Sequence, residues 1–341
     1  MLGLLGLLSA LFAGMLSESL VPSEPEGEDD PDPDAAPGND TINGSLLDDD
    51  GMPDSDDIAE PEDPDEALMG GDHDDILTGH GGDDLVSGGA GADLLGGRAG
   101  DDMLDGGAGD DHLQGGDGAD VLTGGIGCDA LQGDAGDDLL IGSDGDDLLA
   151  GHDGKDSLTG GTGNDSLIGG LGDDQLRAGD GDDTLGGGHG NDLLAGGAGS
   201  DEVDGEDGND TLIGHGPDGL DVSELDDPGP DDAMSDRLNG GAGDDQLVLS
   251  AGDYGTGGLG NDRFLLDEIG ADAPLPLITD FNQAEDALVV LYDAALHPDP
   301  QLSLQQVAGS ADVTLMLDGL PVAVVNGGAG LSLDAISLRA A

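Results

Sequence analysis

The chain is poor in the residues that most folds and most binding functions draw on. Only six of its 341 residues are Lys or Arg, against 78 Asp and Glu, a formal charge of −72. Nucleic-acid binding is excluded on that ground, since neutralising phosphates takes Lys and Arg. An anionic membrane surface would repel the chain for the same reason. Trp is absent and aromatics total five, so a conventional core cannot extend over the whole length. The single cysteine, Cys128, permits no internal disulfide, and its place in the pattern below reads as drift from Asp or Asn.

Catalytic signatures are missing as well. There is no His-Glu-x-x-His, no Gly-x-Ser-x-Gly and no Gly-x-x-x-x-Gly-Lys-Ser/Thr, and Lys155 is the only lysine. The seven histidines fall at variable positions and read as solvated; His112 sits on the exposed flank of its strand. Gly-x-Gly-x-x-Gly spacings abound, but none lies between a long strand and a helix. No catalytic residue is assigned. Carboxylate pairs suited to glycoside hydrolysis are not ruled out by counting, because Asp is everywhere.

What is abundant is glycine, 68 residues, and its placement is periodic. From Gly70 to Ile213 the chain reads as sixteen consecutive nine-residue units without a slip in frame. Gly88-Gly-Ala-Gly-Ala-Asp-Leu-Leu-Gly96 and Gly160-Gly-Thr-Gly-Asn-Asp-Ser-Leu-Ile168 are clean copies. Position six is Asp throughout: Asp75, Asp84, Asp93, Asp102, Asp111, Asp120, Asp129, Asp138, Asp147, Asp156, Asp165, Asp174, Asp183, Asp192, Asp201 and Asp210. Position eight is Leu or Val in every unit, and position four is Gly in all but the first, where His73 stands.

These positions have separable expected roles. Gly at positions one and four suits left-handed φ values and tight bends. Position five is Asp or Asn in eleven units, read as tolerance of left-handed backbone. The first six residues then form a turn and the last three, x-Leu-x, a short strand with one inward side chain. One leucine in nine holds no fold alone, but stacked units can share a thin core.

Charge decides what else is needed. If two units make one coil, position-six carboxylates of alternate units lie about 4.8 Å apart. Two such charges repel by about 3 kcal/mol at an effective dielectric near 20. A cation between the rows is required. Ca²⁺ suits, because it takes six to eight hard oxygens from carboxylates and carbonyls; Mg²⁺ suits less well. No Cys or His recurs in the period, which argues against zinc.

The Gly-Gly-x-Gly-x-Asp-x-(apolar)-x pattern resembles the RTX, or haemolysin-type, calcium-binding nonapeptide repeats, a repeat class recognisable from its period alone. The resemblance implies an all-β fold, a right-handed parallel β-roll with Ca²⁺ held between successive turns on each edge. It implies on the order of 14 ions for sixteen units. The position-six Asp residues above, with Asp245 and Asp262 in later copies, are the implied metal ligands.

Around this block the chain divides further. Residues 1–21 are an apolar segment, to be read as a signal, an anchor, a capping helix or a loose end. Residues 22–69 are an acidic, Pro-rich linker whose composition predicts disorder. It contains an isolated half repeat at Gly38–Gly44 and a calcium-loop-like run at Asp48–Asp57 without EF-hand spacing. Residues 214–239 read as an insertion loop, and residues 240–265 as degenerate repeats carrying Asp245 and Asp262.

Residues 266–341 change character. Strands are expected at 275–281, 287–292, 301–307, 313–317 and 320–325, with a hairpin turn at Asp318–Gly319. They would form a β cap on the open end of the roll. The run Ile278 to Leu288 resembles the segment after the repeats in serralysin-type proteins, which implies a type I secretion signal and a secretion apparatus as partner. The leading expectation is a secreted, calcium-dependent structural or cell-surface protein, folding on calcium after export, with an unidentified extracellular partner. An extracellular enzyme of hydrolase or epimerase type and an RTX toxin are the alternatives.

Overall fold

The computed structural model describes residues 65–214, 234–266 and 273–340. Residues 1–64, with the apolar segment, the half repeat and the calcium-loop-like run, lie outside them.

Each repeat yields one strand, and that strand straddles two units. Leu85–Ala90, Leu94–Ala99 and Met103–Ala108 each take positions seven to nine of one unit and one to three of the next. The strand is thus six residues long where three were expected, and the turn shrinks to positions four to six. The reason lies in the glycines. Position-one glycines such as Gly88 stay inside the strand; left-handed φ falls at positions two and four, as at Gly89 (105°) and Gly91 (128°). A left-handed residue at position two bends the end of the strand and a second at position four opens the turn, which leaves position one free to extend.

Successive strands alternate between two sheets, of 13 and 14 strands among the described residues. From Leu85–Ala90 to Thr211–Ile213 each strand pairs in parallel with the strand eighteen residues before it, as Met103 does with Leu85 and Leu104 with Val86. Two units therefore make one coil, as the charge argument assumed. Position eight points inward from both sheets, and Leu122, Leu131, Leu140, Leu149 and their successors are fully buried. The core between the sheets is one layer of leucine with position-one backbone beside it.

The roll extends beyond the expected bounds on both sides. Ala67–Met69, placed in the linker on sequence grounds, is a strand paired with the start of Leu85–Ala90. After Gly214 the register jumps to thirty-five, Val203 facing Leu238. Of the expected insertion 214–239, residues 215–233 lie outside the described residues. Gly214 and residues 234–239 belong to the roll, with Arg237–Ala242 a strand of the second sheet.

The expected C-terminal strands are present as Leu277–Ile278, Ala287–Tyr292, Leu302–Gln306, Val313–Leu317 and Leu320–Val325. Asp318 and Gly319 form the hairpin turn with φ of 51° and 85°. These strands continue the roll. Ala287–Tyr292 adds in parallel to Arg263–Leu266, and Leu320–Val325 adds in parallel to Leu277–Ile278 before the order turns antiparallel. A final strand, Ile336–Ala340, was not foreseen.

Candidate metal centre: two columns of buried carboxylates

The eighteen-residue coil stacks position-six aspartates into two columns, one at each edge of the roll. In one, Asp84, Asp102, Asp120 and Asp138 follow each other up to Asp210, Asp245, Asp262 and Asp286. In the other, Asp75, Asp93, Asp111 and Asp129 lead to Asp201, Asp236 and Asp253. The rule within a column is uniform: Oδ1 of each Asp accepts the backbone N–H of the Asp one coil earlier, 2.8 Å from Asp84 N to Asp102 Oδ1.

Oδ2 is treated differently. In every unit from Asp84 to Asp192, and in Asp210 and Asp245, it is buried and accepts no hydrogen bond. A buried anionic oxygen without a donor is costly. The space in front of it is kept open by position one. A Cβ at Gly106 would lie 2.5 Å from Asp111 Oδ2 and 2.7 Å from the Gly124 carbonyl oxygen of the next coil. Two acceptors thus face one gap with no hydrogen between them. Position one is glycine for this gap, not for its φ.

Burial, first of all, pushes the Asp120, Asp156 and Asp210 carboxyls up to about 7, with column neighbours adding repulsion and the accepted N–H partly offsetting it. Asp129, Asp147, Asp165, Asp183, Asp192 and Asp245 rise to about 6, again chiefly through burial. Without a cation, these groups are held toward the protonated form.

A hard cation with many oxygen ligands fits this donor set. Among the described residues no group of three or more His, Cys, Asp or Glu side chains converges as a conventional metal site. Each level instead offers a carboxylate oxygen together with backbone carbonyls, the set that Ca²⁺ accepts and that zinc does not.

All eighteen aspartates expected as ligands lie in the two columns; Asp75, in the first full unit, is only half-buried. Three column members escaped the sequence reading. Asp236 belongs to the unit opened by Gly214, where a Cβ would lie 2.5 Å from Asp236 Oδ2. The signal was present in Asp236-Arg-Leu-Asn-Gly-Gly241, the tail of a unit meeting the next. Asp253 sits in a shortened unit whose position eight is Gly255; Leu249 fills the missing leucine's place, since a Cβ on Gly255 would lie 2.7 Å from Leu249 Cδ1. Asp286 closes its column from the C-terminal region, its Oδ1 accepting Asp262 N–H.

Position five forms a second, exposed ladder running the other way. Asp83 Oδ1 accepts the N–H of Asp101, and Asn164 Oδ1 that of Asp182, one coil later. None of the sixteen position-five residues from Asp74 to Asn209 has a left-handed φ. Asp and Asn prevail there because they cap the next coil, not because they tolerate αL backbone.

The family model for RTX calcium-binding nonapeptide repeats (four copies) matches residues 65–95, 96–131, 127–158, 150–185, 159–194, 186–216 and 232–264. No curated protein matches the chain significantly. Among solved structures, the chain is similar to the solution structure of the AlgE6R3 subunit from the Azotobacter vinelandii mannuronan C5-epimerase. The identity is 23% and the TM-score 0.25, over 46% of this chain and 78% of that one.

Proposed function

The chain belongs to the family of RTX calcium-binding nonapeptide repeat proteins, and from that premise we propose that it is a structural or cell-surface roll, secreted and folded by calcium outside the cell. The observation that carries this reading is the buried Oδ2 without a donor, repeated coil after coil. Its residues at work are the position-six aspartates, including Asp236, with Asp262 continuing the first column. Bound Ca²⁺ supplies the positive charge that lets these carboxylates stay ionised in register.

Where calcium is scarce, a chain of charge −72 with one leucine per unit repels itself and stays unfolded, fit for export. Where calcium is plentiful, binding to the folded state alone supplies the stability that the thin core does not. The segment after the repeats would carry the type I export signal, and the roll would then present its rigid faces to an extracellular or cell-surface partner. No described helix is long and apolar enough to cross a membrane. This role requires no catalysis.

Circular dichroism and hydrogen exchange during a calcium titration test the proposal. The β signal and amide protection of the repeats should rise together with added calcium. A chelated chain with an unchanged β signal would sink it. Fractionation of the producing culture and a calcium-dependent pull-down from its surface and medium test the location and the partner.

A further inference from the structure

Position one is glycine in every unit from Gly70 to Gly205 except one, where Ala178 stands. Ala178 is fully buried, in the strand Gln175–Asp180. Its carbonyl oxygen does what the glycines' do: it lies 2.7 Å from where a Cβ on Gly160 would sit, in the gap that Asp165 Oδ2 faces. A position-one Cβ falls in the gap that its own unit's carboxylate faces, 2.4 Å from Asp174 Oδ2 at Gly169 and 2.4 Å from Asp192 Oδ2 at Gly187, so by the same geometry the Ala178 methyl group stands in the gap of Asp183. The carboxylate of that unit, Asp183, keeps a buried Oδ2 that accepts no hydrogen bond.

The other departure from glycine shows what a compensated exception looks like. Leu249 stands at position one of the shortened unit, and there Ser250 donates both its N–H, at 2.7 Å, and its Oγ–H, at 2.9 Å, to Asp253 Oδ2. That carboxylate has protein donors in place of a cation. Asp183 has neither the open gap nor the donors.

We infer that Ala178 blocks one ion position, that of the Asp183 coil, and so divides the column from Asp75 to Asp253 into two separately loaded runs. The inference rests on the reading of the columns as calcium sites. Coupling in a stacked array passes between neighbours, so loading of the coils before Ala178 is independent of loading after it.

Two substitutions test this on the full chain, with bound calcium counted by native mass spectrometry and loading followed by titration calorimetry. Ala178→Gly should bind one ion more than the parent chain, and Gly160→Ala, which puts the same methyl before Asp165, one ion fewer. An unchanged count in either variant overturns the inference while leaving calcium binding by the columns intact. A parent chain that binds no calcium overturns the underlying reading and this one with it. Should Gly160→Ala fail to fold, Ala178→Gly alone still decides, because it only removes a methyl.

Discussion

Asp138, in the middle of the repeats, and Asp253, near their end, occupy equivalent places in the fold and live by different means. Both are buried, and both accept a backbone N–H from the previous coil on Oδ1. Asp138 Oδ2 has no donor, whereas Asp253 Oδ2 accepts two hydrogen bonds from Ser250. Asp286, last in the other column, likewise takes the Asn282 N–H on its Oδ2, at 2.7 Å. The hydrophobic layer changes in step. The repeats bury one leucine per unit, while the C-terminal strands bury Leu288, Val290, Leu315, Ala323 and Val325, with Phe264 and Phe281 in ring contact 6.0 Å apart. One region leaves its electrostatics to an external ion; the other answers them with its own donors and a thicker core.

The largest expected effect of that difference follows calcium removal. Chelation should abolish amide protection in the coils between residues 84 and 214. Strands Ala287–Tyr292, Val313–Leu317 and Leu320–Val325 should keep theirs. Hydrogen exchange read by mass spectrometry resolves the two regions. Uniform loss, or uniform retention, would erase the distinction drawn above.

Acid should separate them next. In the ion-free roll the column carboxyls are raised by burial, so the folded form holds protons that the unfolded chain releases. Stability from these groups is present below about 3.8, the ordinary carboxyl value, and is lost as pH rises through about 6 to 7. In the C-terminal region Asp312 is lowered by the hydrogen bond from Ser310 and Asp318 by that from His297, each helped by a backbone N–H. Their contribution is present above 3.8 and is lost as pH falls through their depressed values. Chelated protein should therefore gain β signal in the repeats between pH 7 and pH 4, while the C-terminal strands gain nothing. A repeat region that stays unstructured at pH 4 would count against burial as the cause of the raised values.

Much of this was legible from residues alone. The nine-residue period gave the repeat unit, the Leu layer and eighteen of the column aspartates, because each depends only on spacing. The C-terminal strands were legible from apolar alternation and from Asp318–Gly319. Other features depend on what lies one coil away, which local reading does not reach. Position one is glycine because a carboxylate and a carbonyl face its missing Cβ, and position five is acidic because it caps a neighbour eighteen residues on. Asp236 was hidden by the residues inserted ahead of it. Asp253 was hidden because Leu249 had taken over the leucine's place from another position.

Glycines at position four sharpen the comparison at the level of single residues. Gly154 has φ 149°, and a Cβ there would drive into the Gly136 carbonyl of the coil below. Gly319 has φ 85° in the hairpin, with nothing within 4 Å of its Cβ position. Gly154→Ala should cost more than about 3 kcal/mol, since backbone collision adds to conformational strain. Gly319→Ala should cost about 1–2 kcal/mol, the price of the left-handed region alone. Urea unfolding of the calcium-loaded variants measures both, and equal costs would mean that coil stacking is looser than the close approach of these backbones implies.

The smallest effect tests the compensated carboxylate itself. Ser250→Ala removes the Oγ donor to Asp253 Oδ2 and leaves the Ser250 N–H in place, so one hydrogen bond to a buried charge is lost and one remains. The expected cost is about 1–2 kcal/mol, read as a shift in the unfolding midpoint. The number of bound calcium ions should not change, because the Ser250 N–H still donates to Asp253 Oδ2 and leucine, not glycine, still stands at position one. If the variant instead gained an ion, Ser250 would be excluding calcium rather than replacing it. The plug at this end of the column would then be the hydroxyl and not the leucine.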